Sequence, residues 1–178
     1  IRKQAGPAFY AGLGRNIFSP RPYIVDSHYS RAMAETVRKT LGEKQYDLIH
    51  CEWTPYTEVL KNSLASHASV LSAHNVEAQI WRRYFEHERN PARKIYIYLQ
   101  WQKLHRYEAR SCPRYSRVAV VSPSDRDLME RWYGCREAAV VPNGVDEAYF
   151  APRECAERPL SLVFTGSMDW RPNQDAMK

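Results

Sequence analysis

The sequence predicts an α/β fold built on a parallel sheet with helices on both faces. Short apolar runs recur at 46–52, 69–73, 118–121, 138–141 and 160–165. Segments with helical spacing separate them, and such alternation marks a parallel sheet whose strands read as nearly continuous apolar stretches. The third observation is compositional. At 178 residues, with 44% hydrophobic and 12% aromatic content, the chain has enough to bury for a real core. Its mean hydropathy is −0.62, and no apolar run approaches the roughly 18 residues that span a bilayer.

In order, residues 1–25 carry Gly6, Pro7, Gly12, Gly14, Pro20 and Pro22 and read as irregular, turn-rich chain. Order is expected from Ser27, where Tyr29, Met33, Val37 and Leu41 recur every four residues and Gly42 closes the helix. Residues 46–52 are the first strand. A helix opened by Pro55 covers 55–65, and 69–73 is the second strand, ending at His74-Asn75. A long helical stretch follows in two pieces divided near Asn90-Pro91, with Pro91 suited to a first helical position. In its second piece Ile97, Trp101 and Leu104 share one face, and Lys103, Arg106, Arg110 and Arg114 share the opposite one. Residues 118–121 are the third strand. Ser122-Pro123-Ser124-Asp125 fits a capping box, for a helix running to Tyr133 and closed by Gly134. Residues 138–141 form the fourth strand, stopped by Pro142-Asn143-Gly144. Residues 146–159 connect it to a fifth strand, 160–165, ending at Gly166.

Charge and cysteines narrow the function. The net charge is +6, and residues 82–117 alone hold ten Lys or Arg against Glu86, Glu88 and Glu108. An anionic partner is therefore expected on that segment, and the remaining chain gives no reason to expect nucleic acid. Cys51, Cys112, Cys135 and Cys155 form no C-x-x-C pair, so free thiols in a reducing cytoplasm are expected rather than a zinc ribbon or disulfide scaffold. The six histidines include no H-x-x-x-H pair, and no metal site is expected. No G-x-S-x-G elbow supports a serine hydrolase.

In parallel sheets ligands gather at the carboxyl ends of the strands. His74 directly follows a strand, where an imidazole can donate to developing charge, accept a proton, or merely cap the turn. Glu77, three residues on, suits a first helical turn, and Glu52-Trp53 stands in the corresponding place after the first strand. Gly166-Ser167 lies between a strand and a helix, where a glycine lets backbone N–H groups approach a phosphate or simply makes a tight turn. The cationic face of 103–114 could lie on anionic lipid or along a phosphate backbone, and a plain solvated helix face is the simpler reading.

Four blocks, 71–83 (LSAHNVEAQIWRR), 120–122 (VVS), 141–146 (VPNGVD) and 164–176 (FTGSMDWRPNQDA), together resemble glycosyltransferase family 4. The resemblance implies a GT-B enzyme with two facing Rossmann-like domains. It would transfer a sugar with retention from a nucleotide-diphosphate sugar, its substrate rather than a cofactor, to a glycan or lipid-linked acceptor. Residues 1–150 would then be the N-terminal acceptor-side domain, lacking its first strand, and 151–178 a linker and first strand of a truncated donor-binding domain. The chain reads as a piece of a longer, hexosyltransferase-type enzyme, inactive by itself. By position, His74 matches the family's active-site histidine. Asn75 and Glu77 belong to the same substrate block, and Asn143 and Gly144, with Asp146, match the segment leading out of the first domain. Gly166 and Ser167 match the loop approaching the donor diphosphate. Many members carry Arg directly after that glycine and Lys a few residues on. Here Ser167 and Met168 follow, and Arg171 is the approximate substitute. The resemblance also implies a cytoplasmic location, with peripheral contact to the anionic inner face of a membrane. Two alternatives stay open: another nucleotide-sugar enzyme of the same shape, such as an epimerase, or a non-catalytic module gripping an anionic polymer.

Overall fold

A computed structural model describes residues 6–151, 159–168 and 171–177. The chain divides into two compact units, Ile1–Asn143 and Gly144–Lys178. The first opens with three helices: α1 (Pro7–Ile17), α2 (Tyr23–His28) and α3 (Arg31–Glu43). Strands and helices then alternate as β1 (Ile49–Cys51), α4 (Thr57–Leu60) between two 3₁₀ turns, β2 (Ser69–Ala73), α5 (Glu77–His87), α6 (Pro91–Ser111), β3 (Arg117–Val120), α7 (Pro123–Tyr133) and β4 (Ala139–Val140).

The four strands form one parallel sheet in the order β1-β2-β3-β4, with Ile49 opposite Ser69, Val70 opposite Arg117 and Ala119 opposite Ala139. Parallel neighbours need crossovers, and these are right-handed in nearly all proteins. A strand order that never reverses sends every such crossover to one face. Packing agrees. Cys51, Leu71, Ala73, Val118 and Val120 of the strands join Leu64, Val76, Cys112, Leu128, Met129 and Tyr133 of the crossovers in a single buried cluster. The expected α/β architecture, a parallel sheet covered by helices, is thus present, and the crossovers pack on this face of it. On the alternate positions His50 is exposed, and Val70, Ser72 and Ala119 are half-buried.

Several boundaries follow the expected punctuation. Asn90 caps α6 by accepting from Arg93 N, with Pro91 at its first position. Ser122 Oγ accepts from Asp125 N at 3.1 Å and donates to Asp125 Oδ2 at 2.6 Å, and Gly134, at φ 67°, closes α7 in the left-handed region. Replacing Ser122 with Ala is expected to cost about 1 kcal/mol. Thermal unfolding should register this as a drop of about 2–4 °C.

Departures have physical causes. The region expected to be irregular holds α1 and α2, because tertiary bonds outweigh the cost of Gly12 and Gly14. Asn16, 5% exposed, donates to Asp26 Oδ2 at 2.6 Å and to the Arg21 carbonyl at 3.1 Å, and accepts from Gln100 Nε2 of α6 at 2.9 Å. Gly42 lies inside α3 rather than closing it. The first strand shrinks to Ile49–Cys51, leaving Tyr46 and Leu48 exposed. The helix expected over 55–65 is broken into α4 and its flanking 3₁₀ turns. In the second unit, residues 161–165 form no strand. Leu160, Leu162 and Val163 are exposed, and a strand needs a neighbour to pair its backbone and cover its side chains. There α8 (Arg171–Ala176) follows the turn at Gly166.

Candidate active site

The carboxyl ends of β1 and β2 lie side by side, since Cys51 is in register with Leu71. Glu52 therefore leaves the sheet next to His74. Glu52 Oε2 accepts from His74 Nε2 at 3.1 Å, while Oε1 stands 3.4 Å from His50 Nε2. His50 Nε2 in turn is 2.7 Å from Ser72 Oγ. A carboxylate only accepts, so this pairing places a ring proton on His74 Nε2 and turns Nδ1 to other partners. The side chains of His74 and Glu52 are 47% and 63% exposed, open enough to meet a ligand.

Behind them is a buried clamp. Glu77 begins α5 and is 6% exposed. Its Oε1 accepts from Trp53 Nε1 at 2.8 Å, which ties the loop after β1 to the helix after β2. Burial pushes the Glu77 carboxyl above its usual range, opposed by the Trp53 hydrogen bond and by His74. Trp53 stands edge-on to His28 and Tyr56, with ring centroids 4.8 and 5.5 Å away. Beneath α5, fully buried Glu108 of α6 accepts from Glu77 N at 3.0 Å and Ala78 N at 2.9 Å. Tyr133 Oη adds a third bond at 2.8 Å. Two free N–H groups at a helix start are thereby satisfied by one carboxylate, the arrangement the helix dipole favours. Burial raises the Glu108 carboxyl to about 7, although the Ala78 N–H and Tyr133 bonds pull it down.

The expected residues are thus gathered in part. His74, Asn75 and Glu77 sit together at the end of β2, with His74 and Asn75 exposed and the Glu77 carboxylate turned inward to Trp53. Asn143 is the last residue of the first unit and Gly144 the first of the second, both exposed. Gly166 and Ser167 lie in the second unit. A Cβ at Gly166 would come within 2.8 Å of Asn173 Nδ2 and 2.9 Å of the Phe164 ring, so a larger residue there would have to push those two side chains aside. Asn173 Nδ2 also donates to the Ser167 carbonyl at 2.9 Å. Arg171 opens α8, but its side chain lies outside the described residues.

Three partners were not anticipated: Glu108, Tyr133 and His50. Glu108 was legible in principle, because it falls one helical turn after Leu104 on the buried side of α6. The family model for Glycosyltransferase Family 4 matches residues 2–149. No curated protein and no solved structure matches the chain.

Proposed function

This chain belongs to Glycosyltransferase Family 4, and from that premise we propose that it forms the acceptor-side part of a hexosyltransferase. In this reading a sugar passes with retention from a nucleotide-diphosphate donor to a glycan or lipid-linked acceptor. The observation that carries the reading is the His74–Glu52 pair, open at the carboxyl ends of two adjacent parallel strands.

The chemistry asks for little covalent work from the protein. As the diphosphate leaves, positive charge builds on the anomeric carbon, and the protein must orient donor and acceptor and stabilise what develops. His74, its ring fixed through Nε2 by Glu52, would turn Nδ1 toward the sugar. Asn75 would add a neutral hydrogen-bonding group. Glu77, held inward by Trp53, would set the position of the strand-end loop on which both stand. Asn143 and Gly144 would complete the substrate side where the chain leaves the first unit. Gly166, Ser167 and Arg171 would approach the donor diphosphate.

The proposed setting is the cytoplasm, peripheral to the inner face of a membrane. Buried free thiols at Cys51, Cys112 and Cys135 suit a reducing compartment, and the cations of 103–114 suit an anionic surface. No helix among the described residues is long and apolar enough to cross a membrane. The test is a panel of nucleotide-diphosphate sugars offered, with mixed glycan and lipid-linked acceptors, to a protein carrying both halves. Donor-selective release of nucleoside diphosphate with glycosylated product is expected. Epimerised donor without any acceptor product would replace transfer with isomerisation.

A further inference from the structure

The cationic side of α6 is concave. Together with α4 and the chain at Pro20 and Arg21 it encloses a cleft of about 500 Å³. Arg21, Lys61, Lys103, Arg106, Arg110 and Arg114 line it against a single carboxylate, Glu58. Such an excess of one sign between low-dielectric walls focuses the field on the cavity.

Four of these cations are held by the fold itself. Glu58, with its side chain 11% exposed, bridges Arg21 at 3.3 Å and Lys61 at 2.7 Å. Lys103 Nζ donates to the carbonyls of Asn16 and Ile17 at 2.6 and 2.9 Å, and the Arg114 guanidinium donates to the Lys61 carbonyl. Arg106 and Arg110, one helical turn apart in the same wall, form no ion pair among the described residues. Tyr107 lines the cleft between them, with its hydroxyl buried beneath the surface. Burial first, and then the Glu58 charge, pushes its pKa up, against the pull of a hydrogen bond with Ser111.

Two guanidinium forks without an ion pair and a net positive lining match the many acceptor oxygens of a phosphate group. The cavity volume is of ligand size. Its position is distinct as well. The lining comes from the end of α6 that leads into the start of β3 at Arg117, whereas His74 and Glu52 stand at the carboxyl ends of their strands. We propose that this cleft is a second site, binding a phosphate-bearing anion of the phosphomonoester or diphosphate type. It stands whether or not the strand-end site transfers sugar.

Calorimetry of the full chain with inorganic pyrophosphate at low ionic strength tests the site. Sedimentation with phosphatidylcholine vesicles, with and without phosphatidic acid, identifies the source of the phosphate. Saturable pyrophosphate binding is expected, weakened about tenfold for each arginine removed in Arg106→Ala/Arg110→Ala. The circular dichroism of that variant should be unchanged, and His74→Ala should bind as the parent does. Pelleting only with phosphatidic acid vesicles, lost in the double variant, would assign the phosphate to a lipid headgroup. Pyrophosphate binding without pelleting would assign it to a soluble ligand. Equal binding by parent and double variant, loss in His74→Ala instead, or no binding to pyrophosphate and to vesicles alike, would each overturn the proposal.

Discussion

Replacing Glu108 with Ala is expected to destabilise the first unit by about 3–5 kcal/mol, the largest effect of any single substitution in the clamp. The substitution strips acceptors from the N–H groups of Glu77 and Ala78 and from the Tyr133 hydroxyl. Each such buried group left unsatisfied costs about 1–3 kcal/mol. In thermal unfolding the midpoint should fall by about 10 °C or more. Glu108→Gln should cost less, since an amide oxygen still accepts. The same carboxylate adds a pH dependence of defined sign. Its pKa rises from an ordinary 4.5 to about 7 on folding, so the folded state holds the proton more tightly than the unfolded chain does. Stability from this group is therefore greatest below about pH 4.5, falls as pH rises through that window, and is level above about 7. The span corresponds to about 3 kcal/mol. Comparing the parent with Glu108→Gln from pH 5 to pH 8 isolates it, because the amide does not titrate. The stability advantage of the parent should shrink with rising pH. A constant or growing advantage would show that Glu108 is ionised throughout and the clamp electrostatically different.

How much of this was legible in the residues depends on whether a signal was local. The β2 strand and α7 were, because continuous apolar runs, Ser122 and Gly134 act over a few positions. The break between α5 and α6 was too, for Asn90 and Pro91 mark it directly. By contrast α1 was hidden. Its helix is held by Asn16 and by Lys103 across more than 80 residues of chain, a contact no local pattern announces, and its glycines point the other way. The fifth strand failed for the converse reason: an apolar run such as 160–165 states a preference, and pairing decides the outcome. At the site, His74 and Glu52 could each be suspected from their place after a strand, yet their pairing depends on the register of β1 against β2. Glu108 counted as one more surface charge in a basic segment. Only the buried stripe Ile97, Gln100, Leu104, Glu108 and Ser111 reveals it as an internal acceptor. The family itself is borne out by the match over residues 2–149, while the cleft lined by the α6 cations depends on the helices packed beside it.

The central claim is that the open end of β1 and β2 carries the chemistry, with His74 as the residue nearest the transferred sugar. His74→Ala in a protein carrying both halves should lower kcat by about 10²–10⁴, the range expected of a positioned acid, base or charge-stabilising group. Its side chain is half exposed and bonded chiefly to exposed Glu52, so the folding cost should remain within about 0.5 kcal/mol. Glu52→Gln, which keeps the shape but weakens the hold on the ring, should produce a smaller loss in the same direction. The decisive measurement is steady-state transfer of labelled sugar by parent and His74→Ala, each with its unfolding midpoint recorded on the same sample. Matched midpoints with a loss of at least about 100-fold in kcat are what this account predicts; matched midpoints with equal turnover would contradict it and move the active site elsewhere.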